Sequence, residues 1–316
     1  MSHKLVTILG PTASGKTALS VAVAQRLHGE IISGDSMQVY RRMDIGTAKV
    51  TAAEQQGVPH HLLDILEPQQ AFSVADFRDL ADAAIADISG RGRLPIVAGG
   101  TGLYISALLD EYDFAATNAA DLQLREQLKA EYAADDGEAL YAELQQVDPP
   151  AAERIHRNDA HRLLRALEVY RSTGQPLSAS WSLTEKPQHS RYQVACIGLT
   201  CPREVLYSRI EKRVDIMMEQ GLLDEVKSLL KSGVSADAQS MQGIGYRQLV
   251  AHLEGQISLD EAVELIKRDT RRFAKRQQTW FKRDVQIAWF DITHYPDQAQ
   301  LLEAVLAEIG RQFGED

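Results

Sequence analysis

Cysteine is nearly absent: Cys196 and Cys201 are the only two among 316 residues. No histidine-rich partner set lies near them at finger spacing, so the pair reads as reduced thiols of a cytosolic protein, and neither a disulfide framework nor a structural zinc site is expected. No apolar run approaches the length of a membrane span. The first residues lack the basic start, apolar stretch and small-residue cleavage site of a secretory signal. A cytoplasmic chain without a membrane partner is therefore expected. An excess of positive charge is missing as well. The formal net charge is -10, which argues against indiscriminate nucleic-acid binding by the whole surface. There is no internal repeat and no low-complexity segment. Apolar and charged contents of 44% and 25% are those of an ordinary globular protein, built as one large domain or as a core carrying an insertion.

What is present starts with Gly10-Pro11-Thr12-Ala13-Ser14-Gly15-Lys16-Thr17. This segment fits the phosphate-loop pattern G-x-x-x-x-G-K-[ST] without a mismatch. Residues 5–9 before it read as a short buried strand, and residues 18–27 after it as an amphipathic helix. In that setting backbone amides and the helix N-terminus face a polyphosphate, Lys16 adds a point cation, and Thr17 can hold a Mg2+ that bridges phosphate oxygens. The bland alternative is a chance match in a Gly-rich turn. Strand and helix then alternate: strands at 30–35 and 94–98, a helix at 73–88 opened by Ser73 with Asp76 three residues on, and a helix at 103–109. The expected fold class is α/β, a P-loop NTPase-like parallel sheet flanked by helices. Polar features at the ends of its first three strands should share one crevice.

From residue 115 to 191 the pattern is helical only. One helix is marked by Leu122, Leu128 and Tyr132, and a second by Leu140, Leu144 and Val147, stopped at Asp148-Pro149-Pro150. A third is marked by Leu163, Leu164, Leu167 and Tyr170 and ended by Gly174. The stretch 178–191 lacks periodicity and reads as a mobile connector. The domains are thus expected at 1–114 with 192–316 (core) and 115–191 (an all-helical insertion). Strand character returns at 192–199 and 287–291, with helices at 203–219, 222–230, 260–283 and 298–309. The helix at 260–283 carries Lys267, Arg268, Arg271, Arg272, Lys275, Arg276, Lys282 and Arg283 against the single acid Asp269 between Lys267 and Arg283. A polyanionic partner should dock on that face.

The chemistry is suggested partly by another absence. Many phosphate-loop ATPases end a strand in an acid that helps hold Mg2+, but the third strand here ends in Gly99-Gly100-Thr101. The carboxylate follows the second strand instead, at Asp35, which suits a group that takes a proton from an attacking nucleophile. Its bland reading is a turn residue or a cap for a helix at 36–40. Thr101 offers a hydroxyl and amides at a helix start, or is a plain cap. Arg209 and Arg213, four apart, share a helix face from which they can neutralise a leaving diphosphate, unless they are solvated partners of Glu211 or Asp215. Residues 240–248 form a Gly-rich loop without a phosphate-loop lysine and read as shaping a substrate. Basic residues interleaved with Trp280 and Phe281 can hold a nucleic-acid backbone and stack a base, although alone they read better as a solvated face above core aromatics. His60 and His61 read as packing residues and not as metal ligands.

The whole set resembles the tRNA dimethylallyltransferases, also called tRNA isopentenyltransferases. The resemblance rests on the phosphate loop, then Asp35-Ser36-Met37-Gln38-Val39-Tyr40, Met43-Asp44-Ile45-Gly46-Thr47-Ala48-Lys49, Pro59-His60-His61-Leu62-Leu63-Asp64 and Gly99-Gly100-Thr101-Gly102-Leu103-Tyr104. It continues through the run from Asp159 to Glu168, Gly243-Ile244-Gly245-Tyr246-Arg247-Gln248 and Lys275-Arg276-Gln277. These stretches run in family order from near residue 5 to about residue 283. No zinc-finger extension of the eukaryotic kind is seen, so the bacterial form is the one resembled.

The resemblance implies transfer of a dimethylallyl group from dimethylallyl diphosphate to N6 of the adenosine 3' of the anticodon in tRNA, by a monomer. It implies that Gly10 to Thr17 bind the donor's diphosphate rather than ATP. Asp35 would hold or deprotonate the amine, while Lys16, Thr17 with Mg2+, Thr101 and Arg213 stabilise the leaving group. The anticodon stem-loop would be gripped by Asp35, Ser36, Met37, Gln38 (reading a base edge), Thr101, Asp159, Ala160, His161, Arg162, Leu163, Gln242, Gly243, Ile244, Gly245, Tyr246, Arg247, Lys275, Arg276, Gln277, Trp280 and Lys282. Three other readings compete: a small-molecule kinase, a prenyltransferase acting on free AMP, and a nucleic-acid-binding module with a vestigial loop. The missing acid after strand three speaks against the first, and the long helical insertion and basic helix against the second. Intact Lys16 and Thr17 speak against the third.

Overall fold

The structure is a computed structural model, and it describes residues 3–110, 122–179, 191–284 and 286–315. The chain divides into two compact units, Met1–Leu109 with His189–Asp316, and Asp110–Gln188. The expected connector lies mostly outside the described residues, as does the expected boundary between 114 and 115.

The larger unit opens with β1 (Lys4–Leu9), α1 (Lys16–Arg26), β2 (Gly29–Ser33), α2 (Ala52–Gln55), β3 (His60–His61), α3 (Val74–Gly90), β4 (Leu94–Gly99) and α4 (Gly102–Leu109). The smaller unit is α5 (Leu122–Asp135), α6 (Glu138–Val147), α7 (Pro149–Arg154) and α8 (Ala160–Thr173). The larger unit resumes with β5 (Gln193–Thr200), α9 (Arg203–Glu219), α10 (Leu222–Lys231), α11 (Tyr246–Leu253), α12 (Leu259–Phe281), β6 (Ala288–Asp291) and α13 (Gln298–Phe313). Its strands form one parallel sheet in the order β3-β2-β4-β1-β5-β6.

Two elements depart from the sequence expectation. His60 and His61 pair with Ile31 and Ile32 as an edge strand, too short for its alternation to be visible. Pro149 and Pro150 stop α6 but also start α7, because Asp148 caps the new helix and its prolines stand in the first turn, where no amide is needed.

Alternation along the buried strands splits the core into two layers. Leu5 and Leu9 join Ile32, Val97 and Cys196 against α3, α4 and α9–α12. Val6 and Ile8 join Ile31, Ile96, Ala195 and Ile197 against α1 and α13. The smaller unit has its own core, in which Leu128, Leu140, Leu144, Leu163 and Leu167 meet.

Sheet register sets the site. Leu9 pairs with Gly99 on one side and Gly198 on the other, and Ser33 pairs with Ala98. The loops that leave β1, β2 and β4 therefore emerge side by side at the carboxyl edge, the usual ligand edge of such sheets.

On β2 the buried Glu30 is clasped by both terminal nitrogens of Arg91, and His61 Nε2 lies 2.7 Å from its second oxygen. The Arg91 hydrogen bonds, against the opposing effect of burial, hold the Glu30 carboxyl down to about 2. Its stabilising contribution is complete above the ordinary value of 4.5 and is lost as pH falls from there toward about 2. We predict that Glu30→Gln costs about 1–2 kcal/mol at pH 7, discounted for the part-exposed Arg91. In thermal melts the gap to wild type should close on acidification through that window. A gap independent of pH would show that the ion pair is not its source.

Candidate active site

The phosphate loop sits between β1 and α1. Gly15 caps α1 at φ 93, a left-handed conformation that favours glycine, and no side chain satisfies the first amides of the helix. Those amides remain available to an anion at the positive end of the helix. Lys16 Nζ donates to Pro11 O at 2.7 Å, which curls its side chain back over the loop.

Three charged side chains from three elements, each half-buried, share the cleft above this loop. Burial, and then repulsion from Arg213, bring the Lys16 ammonium down to about 7, while Asp35 opposes them. Arg213, on α9, is lowered by burial, with Asp35 and Glu54 opposing. The Asp35 carboxyl is raised by burial, against the amide of Met37 (2.8 Å from Oδ1), Lys16, the amide of Gln38, and Arg213. Each ion is thus disfavoured by its surroundings and supported by its neighbours. Residues 36–39 form bends and turns, not a helix, so Asp35 closes a local turn on its own chain and caps nothing.

Two adjoining cavities open here. The larger, about 1020 Å³, is lined by Thr12, Ala13, Gly15, Lys16, Thr17, Asp35, Gln38, Arg209 and Arg213, among others. The smaller, about 320 Å³, is lined by Ser36, Met37, Thr101, the segment from Gln242 to Tyr246, and Arg276. Thr12, Asp35, Thr47, Ala48, Arg213, Met217 and Phe273 line both. Asp35 and Arg213 therefore stand where a compound in one chamber would meet a compound in the other. Arg209 reaches only the larger.

Several expected site residues are placed differently from the sequence reading. Thr101 lines the smaller cavity and not the phosphate side, and its hydroxyl accepts from Ser36 N at 3.4 Å. Gln38 lines the larger cavity, and its amide is already occupied, accepting from Ser33 Oγ and donating to Thr47 O and Ala48 O. Tyr246 is buried, and its hydroxyl donates to Glu225. Leu163 is buried in the core of the smaller unit. There Asp159 caps α8, with Ala160 half-buried and His161 and Arg162 exposed. Arg247 pairs with Asp269.

Gln277 is the most informative of these. It is buried; its oxygen accepts from Thr12 N at 2.9 Å and its nitrogen donates to Gly100 O at 2.9 Å. It braces the phosphate loop against the loop after β4, so its amide is already engaged where the residue borders the larger cavity. A signal was present in the sequence: Gln277 falls on the apolar stripe of α12 with Ala274 and Phe281, where a buried amide needs fixed partners.

The basic helix is not uniformly available. Lys267 pairs with Asp215, Arg271 with Glu211, and Arg268 with Asp269. Lys275, Arg276, Lys282 and Arg283 are exposed and show no carboxylate partner among the described residues. Trp280 is 39% exposed beside them. Free cationic surface is thereby concentrated in the last turns of α12.

No cluster of three or more His, Cys, Asp or Glu side chains among the described residues could hold a metal ion. Thr17 is exposed and lines the larger cavity. A cation there would take one hydroxyl from the protein and the rest of its shell from ligand oxygens and water, a usual arrangement for Mg2+ on phosphates. No helix among the described residues is long and apolar enough to cross a membrane.

Residues 38–284 match the family model described as IPP transferase, and residues 3–70 match one described as isopentenyl transferase. A tRNA dimethylallyltransferase of Carboxydothermus hydrogenoformans is 50% identical over 310 residues, 98% of each chain. One from Geobacillus thermodenitrificans is 52% identical over 93% of this chain and 92% of its own. Among solved structures, the full-length tRNA isopentenylpyrophosphate transferase of Bacillus halodurans aligns with TM-score 0.72 at 46% identity, over 99% of this chain and 98% of that one. A eukaryotic dimethylallyltransferase, described as acting on tRNA, aligns with TM-score 0.81 at 28% identity, over 100% of this chain and 81% of that one.

The lowered Lys16 carries its charge fully below about 7 and loses it above. An anion should restore that proton. Titration calorimetry with inorganic pyrophosphate at pH 8, in buffers of different ionisation enthalpy, is expected to show more proton uptake in wild type than in Lys16→Met. Equal uptake in both proteins would exclude Lys16 as the titrating group.

Proposed function

The chain belongs to the IPP transferase family, and from that premise we propose that it transfers a dimethylallyl group from dimethylallyl diphosphate to N6 of the adenosine 3' of the anticodon in tRNA. The observation that carries the assignment of roles is the meeting of the two cavities at Asp35 and Arg213. The larger holds the phosphate loop and suits the diphosphate of the donor. The smaller, with the backbone-rich wall from Gln242 to Tyr246, suits a flat base.

In this reading the reaction forms a bond from N6 to the allylic carbon and breaks that carbon's bond to the diphosphate oxygen. The N6 proton passes to Asp35, whose raised carboxyl is a better proton acceptor than an ordinary aspartate. Charge that develops on the departing oxygens is met by the amides of α1, Lys16 and Arg213. These are fixed dipoles and half-buried cations, whose electrostatic help exceeds that of groups fully in water. A Mg2+ held through Thr17 would add further charge neutralisation on the same oxygens. Thr101, which bonds the Ser36 amide, lies on the acceptor side and holds the turn that carries Asp35.

An adenosine inside an anticodon arm reaches a recessed carboxylate only if it leaves the stack. The extruded base needs a grip on the surrounding backbone. Lys275, Arg276, Lys282 and Trp280 supply charge and a stacking face at the mouth-lining end of α12, since Arg276 also lines the smaller cavity. The exposed His161 and Arg162 at the start of α8, the latter paired with Asp159, offer further polar surface on the helical unit. This local supply of positive charge is what lets an acidic protein in the cytoplasm hold RNA.

The decisive experiment incubates the protein with labelled dimethylallyl diphosphate and an unmodified anticodon stem-loop. Label is expected in the RNA, and ATP turnover without labelled RNA would overturn the assignment in favour of a kinase. In the same assay Asp35→Asn should lower the chemical step by about two to four powers of ten while stem-loop binding persists. Near-normal turnover would remove Asp35 as the base. Arg276→Ala should weaken stem-loop affinity and reduce the salt slope by about one, with donor affinity unchanged. The opposite pattern would assign Arg276 to the donor.

A further inference from the structure

Outside the groups that face the cavities, one carboxylate gathers more main-chain donors than its own helix needs. Glu225 lies on α10, and its Oε2 accepts from the amides of Asp44 (2.9 Å) and Ile45 (2.8 Å). Its Oε1 accepts from the amide of Gly46 (3.1 Å) and the Tyr246 hydroxyl (2.6 Å). Three successive amides converging on one anion make a nest of the kind that usually holds a bound ion. Here the anion is built into the chain.

The segment held this way is a wall of both cavities. Thr47 and Ala48 line the two chambers, and their carbonyls accept from Gln38 Nε2 at 3.2 and 3.3 Å. The ring of Tyr246 lies so close over Gly46 that a Cβ there would fall 2.5 Å from it, so only glycine lets the loop pass under the ring. Glu225 itself lines neither cavity.

We propose that Glu225 is a positioning residue that fixes the loop from Met43 to Lys49 as the shared wall of the donor and acceptor chambers. It acts through the loop and touches no substrate. A carboxylate is required because it can accept all four hydrogen bonds. A glutamine in its place would turn an amide donor toward main-chain N–H groups. The substrates named here rest on the function proposed above, whereas the clamp itself does not.

The test compares wild type, Glu225→Gln and Tyr246→Phe. In the substrate-free protein, hydrogen exchange of the amides of Asp44, Ile45 and Gly46 should accelerate about tenfold or more in Glu225→Gln and less in Tyr246→Phe, as loss of charge-assisted bonds implies. Exchange in β1 and β4 should stay as in wild type. In the prenyl-transfer assay, Glu225→Gln should raise KM for donor and stem-loop together by about tenfold, with kcat lowered by less than about threefold. Unchanged exchange in the loop, or acceleration spread evenly through the larger unit, overturns the clamp. So does a fall in kcat with both KM values unchanged. A wild-type protein that transfers no label overturns the substrate assignment alone, because the exchange measurement needs no turnover.

Discussion

The site depends on two basic groups and one carboxylate kept together, half-buried, in one cleft. Lys16, Arg213 and Asp35 each lose hydration in the cleft, and each is pushed by burial toward its neutral form. The balance is incomplete: Lys16 and Arg213 stand beside Asp35, with Glu54 acting on Arg213 as well, and Arg209 lines the same cavity. In the proposed reaction an incoming diphosphate adds the negative charge that this deficit calls for, which suits the cleft to a polyanion. The same deficit is restored as the leaving group takes its full charge, so ground-state binding and leaving-group stabilisation draw on one arrangement.

Charge outside the cleft follows the opposite logic. Along α12, the cations of the middle turns are engaged by Asp215, Glu211 and Asp269, whereas Lys275, Arg276 and Lys282 at the end show no carboxylate partner among the described residues. Screening by neighbouring carboxylates lets the helix pack against α9 and α11 without leaving uncompensated charge at its base. These cations stand at the end of α12 that the proposed function assigns to RNA. A net charge of -10 opposes binding of a polyanion elsewhere, and in the proposed function the contrast between the middle and the end of one helix directs docking.

Much of this was legible in the sequence, because it is written in local patterns. The phosphate loop, the carboxylate after β2, the all-helical segment and the basic helix are contiguous signals, and the parallel sheet follows from alternating strands and helices. Two kinds of feature were not legible. One is direction: whether Gln38 and Thr101 look into the larger or smaller chamber depends on turn geometry after β2 and β4, which composition does not specify. The other is pairing across long separations. Gln277 reaches Thr12 over 265 positions, and Glu225 reaches Asp44 over 181. Read as part of a basic motif, Gln277 resembled an RNA contact; its place on a buried stripe, visible only once the helix is drawn as a helix, makes it a brace.

These two braces share a logic that explains why the motifs of the first hundred residues cannot work without the last hundred. Loops at the carboxyl edge of a parallel sheet are held by the strands at one end only, and a glycine-rich loop has little side-chain packing with which to fix itself. Each needs hydrogen-bond partners from elsewhere. Gln277 supplies an acceptor to the phosphate loop and a donor to the loop after β4. Glu225 supplies acceptors to three amides of the wall between the chambers. Both come from helices packed on the same face of the sheet, in the layer that includes Val226, Ile266 and Phe281. The residues that line the chambers are therefore preorganised in part by residues of these helices, which add to the hydrogen bonds the wall loop makes within itself.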